Sequence, residues 1–294
     1  MNWRAQSPPF ARPVTSCMIE RPMPHADATT RFSDRVEYYI KSRPHYPPAL
    51  LEFMRTGLGF TRDHTVADVG SGTGILTEML LKHGNVVYAV EPNEPMRRAA
   101  EQLLAPRYPN FRSIAATAEA TTLGDASVDI VVAGQAFHWF DPDRARAEFQ
   151  RILRGRGWVV LVWNDRRLDR PAFAVGYEQL VRRYNTDFDK INHRNVSKDE
   201  SEALRRLFNG SKYENVNFNN PQTHDWDGVR ARLLSSSYMP LADDPQHEAM
   251  LNGLREMFDA HQREGKVTLE YDTRVYYGRI PLSPSEGRGQ GGEA

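Results

Sequence analysis

The chain has 294 residues, 40% hydrophobic and 26% charged, with 38 Lys plus Arg against 38 Asp plus Glu. That length and composition suffice for a buried core without staples, and a balanced charge gives no global field favouring nucleic acid or a membrane surface. Cys17 is the single cysteine, which excludes intramolecular disulfides and cysteine zinc clusters, and no apolar stretch approaches the roughly 20 residues of a membrane-spanning helix, so a cytoplasmic protein is expected.

Residues 1–28 are proline-rich without hydrophobic period and read as a disordered tail, with Met18 and Met23 as alternative starts. Residues 29–280 read as one domain, opening with N-terminal lid helices over 29–60. Thr65 to Val69 is a buried strand ended by glycines, followed by a helix from Thr73 to Lys82. Val86 to Val90 is a second strand, and Pro95 opens a helix through Leu104. Phe111 to Ala115, Val128 to Ala133 and Gly157 to Trp163 are strands three to five, with a helix from Pro142 to Leu153 before the fifth. Continuous β-branched runs alternating with helices mean parallel strands covered on both faces. The predicted fold is α/β, a doubly wound, mostly parallel seven-stranded sheet.

After the fifth strand the pattern changes. Residues 170–210 read as a polar helical insertion. Tyr213 to Phe218 reads as a strand, Trp226 to Leu234 and Pro245 to Glu264 as helices, and Val267 to Tyr277 as one final strand closing a hairpin of the same sheet. Residues 281–294 are a low-complexity second tail.

Ligands of such sheets bind beyond the carboxyl ends of the strands, so the residues after each strand are the candidate site. Gly70-Ser71-Gly72-Thr73-Gly74 joins the first strand to its helix, where a tight turn and close backbone approach to a ligand both favour glycine. The dinucleotide fingerprint places its third glycine three residues after the second. Here it follows after two, and Asp68 stands two before the first. That spacing suits a phosphate-free ligand with an amino-acid moiety whose ammonium needs a carboxylate. Glu91, directly after the second strand, is placed to accept both ribose hydroxyls, or to stand as a solvated acid at a helix N-terminus.

Taken together, Val66-Ala67-Asp68-Val69-Gly70-Ser71-Gly72-Thr73-Gly74, Ala89 to Met96, Ala116 to Ala120 and Ser127 to Val131 resemble the class I S-adenosylmethionine-dependent methyltransferases, over residues 30–165. The resemblance implies S-adenosyl-L-methionine as cofactor, with Asp68, Gly70 and Gly72 around its methionine part and Glu91 on its ribose. Met96 would lie against adenine or belong to the helix core. Ala118 and Glu119 would lie at the adenine edge, unless Glu119 is a solvated loop acid. Ser71, Gly74, Pro92 and Gln135 complete the implied cofactor set.

Ala136-Phe137-His138-Trp139-Phe140-Asp141 and Lys41-Ser42-Arg43-Pro44-His45-Tyr46-Pro47 are similar to a small-molecule subgroup that includes trans-aconitate methyltransferases. The subgroup implies a small-molecule acceptor, a carboxylate of an organic acid in particular, and an N-terminal segment lying over the cofactor. Arg43 or Tyr46 would then meet the methionine carboxylate or the substrate. His138 is the available general base for an acceptor that must lose a proton, or else a residue packing beneath Trp139. Trp139 would be pocket wall. Ser237 and Tyr238 lie at the acceptor pocket or form a helix end stopped by Pro240. Arg166 pairs with an anionic substrate or belongs to a surface charge cluster.

A nicotinamide-dependent oxidoreductase shares strand, turn and acid, but its glycine spacing differs and no Tyr-x-x-x-Lys pair follows strand four. A nucleic-acid methyltransferase is disfavoured because Gln135 to Trp139 stands in place of an Asn/Asp-Pro-Pro-aromatic stretch. A non-catalytic cofactor-binding protein would share the same turn. The nine histidines have no ligand spacing, so no metal is expected, and His224 reads as a surface-loop residue.

Overall fold

The computed structural model describes residues 38, 42–167, 172–185, 202–236 and 238–280; the expected tails lie outside these, as does Ser237. Chain order begins with α1 (Pro48–Leu58), β1 (Thr65–Val69), α2 (Ile75–His83), β2 (Val86–Val90), α3 (Glu94–Leu104), β3 (Phe111–Ile114) and β4 (Val128–Gly134). It continues through a 3₁₀ turn (Phe137–Trp139), α4 (Pro142–Ile152), β5 (Leu153–Arg166), α5 (Ala172–Tyr184), α6 (Glu202–Phe208), β6 (Tyr213–Asn219) and β7 (Gln222–His224). The last elements are α7 (Trp226–Leu234), α8 (His247–His261), β8 (Val267–Leu269) and β9 (Tyr271–Arg279).

Seven strands form one sheet in the order β3-β2-β1-β4-β5-β9-β6. The first five are parallel, and β9 runs antiparallel between β5 and β6. Alternation along β5 sends Val159, Leu161 and Trp163 into one core with α4 and α6, and Val160 and Val162 into the other with α1, α2 and α3. Strand order reverses between β1 and β4, which opens a crevice at their carboxyl ends.

Helix starts follow their sequence signals. The Asn93 side chain accepts the Met96 N–H at 3.0 Å, and the Asp141 side chain accepts those of Asp143 and Arg144, so each satisfies donors that the helix itself cannot. Met96 sits on α3 behind that cap and is buried.

Three expectations need correction. Val267 to Tyr277 is not one strand: it breaks at Glu270 into β8, paired with β7 in a separate two-stranded sheet, and β9 of the main sheet. The expected closing pair is present: β6 and β9 run antiparallel side by side at the edge of the main sheet, with β7, α7, α8 and β8 between them in sequence. The stretch expected as one helical insertion is divided in role. Leu204, Leu207 and Phe208 of α6 belong to the sheet's own core, whereas Phe173, Tyr177 and Val181 of α5 join α7, α8, β8 and Tyr271 of β9 in a third core beside β5. His224 is a strand residue, at the end of β7. Among the described residues no helix is long and apolar enough to cross a membrane.

Candidate cofactor and acceptor site

The turn after β1 is fastened to β2. Gly70 N–H and Ser71 N–H both donate to Val90 O, at 2.8 and 3.1 Å, and Gly72 N–H donates to Glu91 Oε2 at 2.8 Å. Gly70 has φ +70°, and a Cβ there would stand 2.5 Å from the Ala136 Cβ, so both backbone region and space demand glycine. Above this turn lies a cleft of about 1120 Å³ including its open mouth.

The cleft brings together most of the residues singled out from sequence. Asp68, Gly70, Ser71, Gly72, Glu91, Pro92, Met96, Ala118, Glu119 and Gln135 line it, as do Arg43, Tyr46 and Trp139. Gly74 does not; its φ of +86° makes it the N-cap of α2, and a Cβ there would strike Leu104. Thr73, Ile75, Leu76, Thr117, Ala136 and Phe140 line the cleft without having been singled out, since small and apolar residues carry no chemical signature in sequence.

The electrostatics of the cleft are set by two buried acids. Asp68 Oδ2 accepts the Thr77 hydroxyl at 2.5 Å, while Asp68 Oδ1 is buried with no hydrogen-bond partner. Burial, offset in part by Thr77 and reinforced by the charge of Glu91, pushes the Asp68 carboxyl up to about 7. Glu91 is also buried, not solvated: burial raises its carboxyl, and the N–H groups of Asn93 and Gly72 work against that rise. A carboxylate offers about four acceptor sites, so these bonds leave capacity for two hydroxyls. Ser71 Oγ is a second buried atom without a hydrogen-bond partner.

Segment 42–47 crosses the cleft and is tied down from beneath. Asn164 Nδ2 donates to Pro44 O at 3.4 Å and Asn220 Nδ2 to His45 O at 2.7 Å. Asn164 Oδ1 in turn accepts Thr273 Oγ1 and Asn220 Nδ2, and Gln135 Nε2 donates to Asn164 O at 3.2 Å. In sequence Asn164 reads only as a polar residue that follows the fifth strand and borders the cleft, and nothing there shows its hydrogen-bonding role. Gln135 itself holds φ +58°, an uncommon conformation for a non-glycine residue and one concentrated at functional sites. The following α1 is no lid, because Leu50, Met54 and Leu58 anchor it in the sheet's core.

His138 does not line the cleft. It lies in the 3₁₀ turn with its ring 5.0 Å from that of Trp139, tilted by 42°. Tyr238 stands in the turn after α7. Burial pushes its phenol up, but the nearby charges of Arg166, Arg232 and Arg43 outweigh this and hold it below its ordinary value. Arg166 is not part of a surface cluster: its side chain is 9% exposed and paired with Glu178 at 2.7 Å. Among the described residues no three His, Cys, Asp or Glu side chains gather as metal ligands.

Sheet order, glycine turn and acid after β2 define the class: this is a class I, Rossmann-like methyltransferase fold. Residues 67–161 match the family described as a methyltransferase domain. An uncharacterized methyltransferase of Mycobacterium tuberculosis is 38% identical over 140 residues, covering 48% of this chain and 54% of the relative. One of Schizosaccharomyces pombe is 32% identical over 136 residues, covering 46% and 53%. The chain thus spans about half the length of the curated relatives it matches. In fold it is similar to a candidate type II methyltransferase from Anaeromyxobacter dehalogenans, with a TM-score of 0.55, 24% identity, and coverage of 82% of this chain and 99% of that one. A candidate methyltransferase of an antibiotic biosynthesis pathway in Anabaena variabilis gives 0.56, 23%, 81% and 98%.

Proposed function

We propose that the cleft binds S-adenosyl-L-methionine and that the chain transfers its methyl group to a small molecule, at a carboxylate oxygen. The observation that carries this is Asp68 Oδ1, a buried acceptor without a partner in a cleft wall beside the glycine turn. An ammonium group is the ligand chemistry that satisfies such an atom and keeps it ionised. The cofactor would supply an electrophilic methyl on a sulfonium whose leaving group is already good.

The chain's own contribution is then alignment, which suffices for large accelerations. Asp68 would hold the amino end and Glu91 the ribose hydroxyls, while Met96, Ala118 and Glu119 would flank the adenine. Arg43 or Tyr46 would meet the carboxylate end, and Trp139 would wall the acceptor side. A carboxylate acceptor is already an anion and needs no base. His138, behind Trp139, would act as base only toward an acceptor that must lose a proton. The neutral overall charge supports a small molecule over a nucleic acid. Nicotinamide dinucleotide binding is the weaker reading, since the close glycine spacing offers no usual pyrophosphate turn.

Calorimetric titration with S-adenosylhomocysteine tests the cofactor site directly. Incubation with methyl-labelled cofactor and a metabolite extract, followed by identification of the labelled product, tests the transfer. Tight binding with no labelled product across extracts would leave a non-catalytic cofactor-binding protein.

A further inference from the structure

Buried cationic chemistry gathers where the third core meets the carboxyl end of β5. Arg166, the last residue of β5, is in register with Tyr271 of β9, so the two side chains share a face of the sheet. Its guanidinium pairs with Glu178 of α5 at 2.7 Å. Arg232 of α7 is 5% exposed. Its Nε donates to the Tyr271 hydroxyl at 3.0 Å, and its Nη1 to the hydroxyls of Ser235 and Ser236 at 3.3 and 3.5 Å. All of these partners are neutral. Arg43, from the cleft wall, donates to Ser235 O at 3.0 Å, which joins the cluster to the cleft.

A guanidinium withdrawn from water is strongly disfavoured unless an anion or a full set of acceptors replaces the solvent. Arg232 carries five N–H donors and, among the described residues, meets neutral oxygens alone. Beside Arg166 stands a buried polar group that has no hydrogen-bond partner. Tyr177 of α5 is fully buried, its ring lies 5.1 Å from the Arg166 guanidinium, and its hydroxyl has no hydrogen-bond partner. Burial pushes that phenol up to about 12, despite the opposing charges of Arg232 and Arg166, so it remains a donor at neutral pH. A buried arginine that meets only neutral acceptors, near a buried phenol whose hydroxyl has none, at the carboxyl end of a central strand, is complementary to an oxyanion.

We propose that Arg232 and the Tyr177 hydroxyl, backed by Arg166, are the seat of an oxyanionic group of the methyl acceptor. The proposal rests on the methyl-transfer reading only in taking the bound anion to be part of the acceptor. It goes beyond that reading by requiring an anionic group separate from the atom methylated. An acceptor methylated at one carboxylate then carries a second carboxylate or a phosphate. Gln135, bonded to the backbone of Asn164 two residues before Arg166, links the seat to the cleft where the transfer occurs.

Thermal unfolding and calorimetry of the full chain with succinate, with inorganic phosphate, and with sodium chloride at equal ionic strength test this. One of the two oxyanions stabilises the chain and binds it, and chloride does not; which one succeeds separates a carboxylate seat from a phosphate seat. Arg232→Met and Tyr177→Phe each weaken that binding about tenfold or more. Arg232→Met also removes support from Tyr271, so Tyr177→Phe, which deletes one atom, carries the decision: its anion-free unfolding temperature is unchanged or higher while its anion affinity falls. The proposal is overturned if neither oxyanion acts beyond chloride, or if Tyr177→Phe binds as tightly as the parent. Titration of the same samples with S-adenosylhomocysteine separates the two readings. Cofactor binding without anion binding removes the seat alone, and anion binding without cofactor binding removes the methyl acceptor from the argument.

Discussion

Glu91 Oε2 accepts the Gly72 N–H at 2.8 Å, so the acid that ends β2 is a structural clasp on the turn that follows β1. Its other oxygen accepts the Asn93 N–H at 2.8 Å, which fixes the entry to α3. Glu91→Ala therefore leaves two backbone donors to seek new acceptors, and it should lower stability by about 2 kcal/mol or more as well as abolish binding of S-adenosylhomocysteine. Glu91→Gln retains one acceptor oxygen and should fall between the two. Chemical denaturation alongside calorimetry checks both effects; an Ala variant as stable as the parent would show that the clasp carries no energy.

Asp68 gives a pH dependence with a definite sign. Its carboxyl is pushed up from 3.8 to about 7 in the folded chain, so the folded state holds a proton that the unfolded state releases. This group's contribution to stability is greatest below 3.8, is lost as pH rises to about 7, and changes no further above that. A cationic ligand group favours the ionised form. Cofactor affinity should thus rise by about tenfold per pH unit below neutrality and level off above it. Asp68→Asn should abolish that slope, weaken binding, and make the free chain more stable above neutral pH. Affinity that is flat with pH in the parent would remove Asp68 from the ammonium site.

Much of this architecture was legible because parallel strands covered on both faces must be written as continuous apolar runs, and β1, β2, β4 and β5 are. The cleft was legible for a related reason: positive φ and close approach restrict a position to glycine, as at Gly70. The break at Glu270 left no trace. Val267, Leu269 and Tyr271 keep a period of two straight through it, and neither glycine nor proline marks where the chain leaves one sheet for another. Arg166 and Arg232 were illegible in a different way. Charged residues are almost always at the surface, and partners such as Glu178 on α5 for Arg166 and Tyr271 on β9 for Arg232 are set by the tertiary fold.

Gly70 and Ala136 together test how tightly the turn is packed against the end of β4. Gly70→Ala places a methyl in the left-handed region, at about 1 kcal/mol, and 2.5 Å from the Ala136 Cβ, an overlap that adds about 1–3 kcal/mol. Combining it with Ala136→Gly should recover the steric part and leave the backbone part. A double variant no more stable than Gly70→Ala would mean that Phe140, also within 3.4 Å of the added methyl, is the true obstacle.

His138 is decided by a pair of substitutions, because its ring could act through its nitrogen or through its contact with Trp139. His138→Phe keeps a ring against Trp139 and removes any proton acceptor; His138→Ala removes both. With a carboxylate acceptor, His138→Phe should keep most of kcat and His138→Ala should lose more, with KM for the acceptor rising as Trp139 loses its support. A fall in kcat of about a hundredfold in both variants, with cofactor affinity intact, would instead identify His138 as a general base. Reaching the methyl would then require movement of the 3₁₀ turn, since His138 stands outside the cleft wall. That outcome would also change the acceptor: a group needing deprotonation is a phenol, an amine or a carbon acid, and the carboxylate would be confined to the seat at Arg232.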